Sequence, residues 1–203
     1  NVDEQSDPIL NEIKANNLNN SQSEKVKIIF IPSYLDGKDG LVNIPYFDFL
    51  TGFDLSIFPS YYEPWGYTPM ESLAFGVPSI TTSLAGFGRW MNSGKYDIDK
   101  VLTVIERNDD NIKEVISKIK ITIEEFLKND RKENQNLKAK AMNLSSTVVW
   151  EKLINNYIEA YDRAISRAEF RKEQYSHKQS ISQEFTSQIN WGQTPNWKKI
   201  LLK

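Results

Sequence analysis

The stretch from Asp54 to Pro78 constrains the fold more than any other part of the chain, because an apolar run leads through a stiff aromatic loop into a helix start carrying two carboxylates. Asp54-Leu-Ser-Ile-Phe58 has the length and apolar character of a buried strand. The residues after the loop predict a short helix over Met70–Phe75. Thr68 suits its N-cap, Pro69 the first helical position, and Glu71 falls three residues after Thr68 as in a capping box. Gly76 supplies a left-handed stop and Pro78 prevents continuation. In an open α/β sheet, ligands bind in the crevice at the carboxyl ends of the strands, and free N–H groups at a helix start attract phosphate. The loop from Pro59 to Thr68 is therefore in the right place for a diphosphate.

The two carboxylates have separate readings. Glu71, inside the first turn, can satisfy a backbone donor and favour the helix dipole, with or without a further role. Glu63 stands between Tyr62 and Pro64, where no helix calls for a carboxylate. It is either a solvated loop residue or a group that grips sugar hydroxyls and stabilises an oxocarbenium-like centre.

Along the chain, residues 1–23 are rich in Asn, Ser and Gln, which predicts a partly mobile leader with a short helix at Ile9–Ile13. Val26–Ile31 reads as a strand, Tyr46–Leu50 as a short helix or turn, and Ser79–Thr82 and Leu102–Ile105 as further strands. Strands alternating with helices imply an α/β fold with a parallel sheet. Ala85-Gly86-Phe87-Gly88 reads as a strand-end turn whose glycines are weak grounds for phosphate contact. Asn111 and Glu114 offer a capping box to a helix whose stripe is Ile112, Val115, Ile116, Ile119, Ile123, Phe126 and Leu127. A second helix, Leu144 to about Arg171, aligns Trp150, Leu153, Tyr157, Tyr161 and Ile165, with core packing the default reading. Periodicity fades after about residue 172, leaving Trp191 and Trp197 in a polar tail.

A net charge of −2 argues against broad binding of nucleic acid or anionic membrane. The absence of cysteine removes disulfides, thiolate nucleophiles and thiolate metal sites, and fits a reducing compartment. No apolar run approaches the roughly 20 residues of a membrane span. The sole histidine, His177, has no clustered carboxylates beside it, so neither a catalytic triad nor a zinc site is supported, and no metal is expected.

The segment from Phe58 to Gly88, FPSYYEPWGYTPMESLAFGVPSITTSLAGFG, resembles the signature of family 3 glycosyltransferases, the glycogen synthases of the animal and fungal type. Glu63 and Glu71 have the Glu-(x)7-Glu spacing of retaining glycosyltransferases within the family's own YYEPWGYTP wording. The resemblance extends upstream through Ile31–Leu35 and Tyr46–Gly52, and downstream to Leu144-Ser145, Trp150 and Tyr157–Arg167, covering roughly residues 24–168.

This resemblance implies a Rossmann-like parallel sheet with flanking helices, the carboxyl-terminal lobe of a two-lobed (GT-B type) enzyme, at residues 24–143. A C-terminal helix (144–172) and a polar tail (173–203) would follow. It implies retaining transfer of glucose from UDP-glucose to an α-1,4-glucan. Glu63 would contact the transferred glucose as the catalytic carboxylate, and Glu71 would hold the ribose. Gly66, Tyr67 and Thr68 would line the diphosphate. The aromatics that sandwich the uracil fall on Tyr34 and Tyr46, although the family's HPEFL reads Ile31-Pro32-Ser33-Tyr34-Leu35 here, without the His and Glu. An Arg and a Lys that neutralise the diphosphate in the family belong to an earlier segment with no counterpart before Val26. The expectation is a cytoplasmic, carboxyl-terminal fragment, inactive without its amino-terminal lobe and with an orphaned apolar helix face open to homo-oligomer contacts. No nucleic-acid or membrane partner is expected. The family's arginine-rich control segment is thinned here to Lys128, Arg131, Lys132, Lys138 and Lys140, with Asn134 and Asn143 where arginines are usual, which predicts weak or absent activation by glucose 6-phosphate. Two alternatives remain: the same transfer with ADP-glucose, and a non-catalytic nucleotide- or glucan-binding module or scaffold.

Overall fold

The computed structural model describes residues 6–188, with their side chains as far as residue 176. The first five residues of the leader, the tail residues Trp191 and Trp197 and the side chain of His177 therefore lie outside the described residues. The chain divides into two compact units, residues 1–147 and 148–203. In the first, the elements run α1 (Pro8–Ala15), α2 (Tyr46–Leu50), β1 (Ser56–Ile57), α3 (Tyr67–Ala74), β2 (Ser79–Thr82), α4 (Gly86–Met91), β3 (Leu102–Ile105), α5 (Ile112–Phe126) and α6 (Arg131–Ser145). The second holds α7 (Trp150–Gln188).

The three strands form a parallel sheet in the order β1-β2-β3, with Ser56 opposite Ser79 and Thr82 opposite Ile105. Every residue of the central strand β2 is buried. Because side chains alternate across a strand, β2 shows Ser79 and Thr81 to one face and Ile80 and Thr82 to the other. On the Ser79 face, half-buried Ser56 Oγ lies 2.6 Å from Ser72 Oγ of α3 and 2.8 Å from Ser79 Oγ, so the two buried hydroxyls share one partner. On the opposite face Ile80 and Ile105 pack with Val115 of α5, flanked by Leu55, Ile119 and Ile123. Helices thus cover both faces, as a parallel sheet requires.

Several expectations need correction. Val26–Ile31 is not a strand: Val26 and Ile29 are exposed, and the segment has no ladder partner among the described residues. The Asn20 side chain instead accepts from Ile28 N and donates to Ile28 O, both at 2.7 Å, occupying the groups a neighbouring strand would take. β1 is shorter than Asp54–Phe58 because Pro59 has no N–H to donate and the chain turns, with Ser60 N donating to Phe58 O at 2.8 Å. The Thr68–Glu71 capping box does not form. Helix α3 starts at Tyr67 behind Gly66, a left-handed N-cap at φ 99°, with no side-chain cap.

The stop is as expected. Gly76 is left-handed, and its N–H and that of Val77 return to Leu73 O and Ser72 O, a Schellman closure.

Likewise, Asn111 does not form a capping box with Glu114, because its side chain is committed to Asn108 N and Glu106 O, each at 2.9 Å. Only the Val115, Ile119, Ile123 arc of α5 faces the sheet, so Ile112, Ile116 and Leu127, on the flanks, are exposed. Ala85–Gly88 is not a turn but the entry to α4.

Leu144 ends α6 rather than opening the next helix, and is buried with Leu137 and Ala141 in a helix that packs on α3. The hydroxyls of Ser145, Ser146 and Thr147 take the carbonyls of Met142, Asn143 and Leu144, each at 2.7 Å, which closes this helix. A capping box at Asp130 and Glu133 opens α6. Helix α7 runs to Gln188, past the fading of its periodicity; Trp150, Tyr157 and Tyr161 form an exposed aromatic row along it, not core. Among the described residues, no helix is long and apolar enough to cross a membrane.

Candidate functional site

The site is built at the carboxyl end of the sheet, where the loop after β1 meets the loop after β2. Glu63 pairs with Ala85 as one parallel bridge. Its N–H donates to Leu84 O at 3.2 Å and its carbonyl accepts from Gly86 N at 3.0 Å; two residues on, Trp65 O accepts from Phe87 N at 2.6 Å. The Gly-x-Gly of α4 serves this lacing and the packing of the helix itself. A Cβ on Gly86 would run into Pro64 O, so only glycine lets the two loops close, and one on Gly88 would lie 2.6 Å from Thr82 O, so glycine there lets α4 pack on the end of β2. Trp65 fastens the same loop from its side chain, 5.9 Å from the Phe87 ring and 5.7 Å from that of Trp90.

Glu63 is half-buried, and its Cγ lies 3.3 Å from where a Cβ on Gly66 would be. Gly66 is therefore needed for its positive φ and for the room it leaves the glutamate stem. Tyr67 and Thr68 are exposed in the first turn of α3, whose N-terminus has no side-chain cap and is electrostatically suited to an anion. Pro69, the third residue of α3, has no N–H to leave unpaired.

Glu71 is half-buried one turn into α3. It is not a capping-box residue, so that structural explanation for it falls away. Partial burial pushes the Tyr46 phenol above its ordinary value, and the negative charge of Glu71 adds to the effect. These two residues are thus brought into electrostatic reach of each other. Their helices are joined by the stacked rings of Phe47 and Phe75, 5.1 Å apart.

Tyr34 stands differently. Leu35 O accepts from Tyr46 N at 2.9 Å and Asp36 bridges Pro45, so the backbone brings the 34–36 and 45–46 segments side by side. Between them, Asp39 closes the loop by accepting from Leu41, Val42 and Asn43 N–H groups; these bonds, that to Val42 foremost, hold its carboxyl below its ordinary value. Tyr34 is nevertheless 94% exposed, and its ring meets no other ring among the described residues.

Arg107, two residues past β3, escaped the sequence reading. It is only 5% exposed, and its guanidinium lies over the Tyr61 ring at 3.4 Å from the centroid. The available signal was its position, a charged residue just beyond the carboxyl end of an apolar strand, where the loops of a parallel sheet converge.

The profile of the glycogen synthase family matches residues 1–199. The chain belongs to the glycogen synthase family. It is similar to glycogen (starch) synthase isoform 1 of Saccharomyces cerevisiae, at 35% identity over 170 residues, 82% of this chain and 24% of the relative. Glycogen (starch) synthase of Neurospora crassa is 36% identical over 172 residues, with the same coverage of each chain. That of Dictyostelium discoideum is 36% identical over 163 residues, 80% of this chain and 19% of the relative. The chain thus spans about a quarter or less of the length of these glycogen synthases.

Proposed function

We propose that this region is the donor-binding, carboxyl-terminal lobe of a GT-B type glycosyltransferase. The whole protein would transfer glucose from UDP-glucose, with retention, to the 4-OH at the non-reducing end of an α-1,4-glucan. The observation that carries the reading is the backbone-locked Glu63 at the carboxyl end of a parallel sheet, beside an uncapped helix start.

Glu63 stabilises the positive charge that develops at the sugar as the diphosphate departs, and orients hydroxyls; it need not act as a nucleophile. Acceptor and leaving group share one face of the sugar. Gly66, Tyr67 and Thr68 meet the diphosphate at the start of α3, Glu71 holds the ribose, and Tyr34 and Tyr46 stack on the uracil. A basic pair elsewhere in the longer chain completes the neutralisation, without a metal ion. The region alone is inactive, and the whole protein is cytoplasmic. Names of similar proteins support this assignment, all of them glycogen (starch) synthases.

The test is incorporation of labelled glucose into glycogen by the full-length parent, supplied with UDP-glucose or ADP-glucose. Incorporation from UDP-glucose, blocked by UDP more strongly than by ADP, is the expected result. Preference for ADP-glucose would overturn the donor assignment, and no transfer from either would leave a binding module.

A further inference from the structure

We infer that Arg107 is the positioning residue that sets the entry to the Glu63 loop, an inference that rests on the role proposed for Glu63. The chain between β1 and Glu63 is held at several points by groups of β2 and of the loop after it. Phe58 N donates to Ile80 O at 2.8 Å, Thr82 Oγ1 donates to Ser60 O at 2.7 Å, and Glu63 N donates to Leu84 O. The carbonyl of Pro59 accepts from Arg107 Nη1 at 2.5 Å. The next ring, Tyr61, lies on the same guanidinium. One side chain therefore grips two of the five residues before Glu63, including the only one of the pair Tyr61-Tyr62 with a described contact.

Arg107 is itself fixed from behind. Its backbone N–H donates to Ser83 Oγ at 3.0 Å, and Ser83 N donates to Ile105 O at 2.9 Å, which ties it to the end of β3 and to the loop after β2. Among the described residues no carboxylate lies within ion-pair distance of it. Its Nε is buried without a hydrogen-bond partner. A buried cation with no counter-ion would be costly, and here the π face of Tyr61 and the Pro59 carbonyl supply its negative environment. The arrangement also requires arginine: the planar fork donates to a carbonyl from one nitrogen while its face lies on a ring, a combination that the compact ammonium of lysine cannot reproduce. Arg107 touches neither Glu63 nor the start of α3 in any described contact, so its effect on transfer acts through the 59–62 segment.

The test uses the full-length parent protein with Arg107→Met, Arg107→Lys and Tyr61→Phe, followed by transfer kinetics and by amide hydrogen exchange over residues 58–66. Arg107→Met is expected to lower kcat roughly ten- to hundredfold, with KM for UDP-glucose and Tm little changed, since small misplacements of a reacting group have effects of that size. Exchange at residues 60–63 should quicken. Lysine should restore part of kcat, and Tyr61→Phe, which keeps the ring face, should leave it near wild type. Wild-type kcat in Arg107→Met would overturn the inference, as would a loss of kcat that comes with a large fall in Tm and with exchange quickened as much across the sheet as at residues 60–63. If the wild type transfers no glucose, the role given to Glu63 fails. The exchange result then still decides whether Arg107 sets this loop, and unchanged exchange would overturn it.

Discussion

Glu63 and Tyr34, both assigned to the donor site in the proposed function, are held in opposite ways. The peptide groups at and just beyond Glu63 are clamped to the loop after β2, so the carboxylate sits on a segment that is rigid because of its backbone. Tyr34 is carried beside a paired backbone, yet its ring is almost wholly in solvent. The contrast separates the parts of a site that a fold builds in advance from the parts left for a ligand to order. A group that stabilises a transient charge needs fixed geometry, whereas a stacking ring gains its contact from the base itself.

The comparison breaks most severely at the lacing. Gly86→Ala pushes a methyl into Pro64 O, and the two loops must part. A destabilisation of about 3 kcal/mol, the upper end for overpacking, is expected in chemical denaturation; an unchanged midpoint would mean that the lacing is not what holds Glu63.

Tyr34→Ala should do the reverse. With its ring exposed, the fold should change by less than about 0.5 kcal/mol. Binding of UDP, followed by calorimetry, should weaken by up to about tenfold, consistent with roughly 0.5–1.5 kcal/mol for a stacked aromatic pair. Equal affinity would exclude Tyr34 from the nucleobase site.

The smallest effect concerns Tyr46. Because its phenol holds its proton more tightly folded than unfolded, stability is fully present below its ordinary value of 10.0 and is lost as pH rises through the higher folded value. Tyr46→Phe should therefore flatten the alkaline fall in Tm above about pH 10 and leave the neutral Tm alone. A mutant that loses stability in parallel with wild type would contradict the raised phenol of Tyr46, which partial burial foremost and the charge of Glu71 produce.

The sheet was readable from the sequence because Ser79–Thr82 and Leu102–Ile105 are short, β-rich runs bounded by turn residues, and both form with those bounds. The same pattern misled at Val26–Ile31, since a β-rich run becomes a strand only where an edge accepts it, and Asn20 occupies its hydrogen-bonding groups instead. The start of α3 differs for a related reason: Thr68 is a good cap by local preference, but the fastening of Glu63 and Trp65 to the next loop carries the chain into helix two residues earlier, with Gly66 as the N-cap and Tyr67 the first helical residue. Glu63, Glu71, Gly66, Tyr67, Thr68, Tyr34 and Tyr46 were named from motif wording. The wording could not show the support beneath it: Gly86 is part of the resembling segment, but its close approach to Pro64, like the contacts of Trp90 and Arg107 with this loop, forms only once the sheet brings these residues together.

The central claim is that the clamped Glu63 carboxylate stabilises the charge that develops during glucosyl transfer. The most direct measurement is kcat for glucose incorporation by the full-length parent, wild type against Glu63→Gln, at matched Tm. Because the substitution keeps the shape and removes the charge, kcat should fall by about 10²-fold or more while UDP binding holds. Transfer by Glu63→Gln at the wild-type rate would contradict the account.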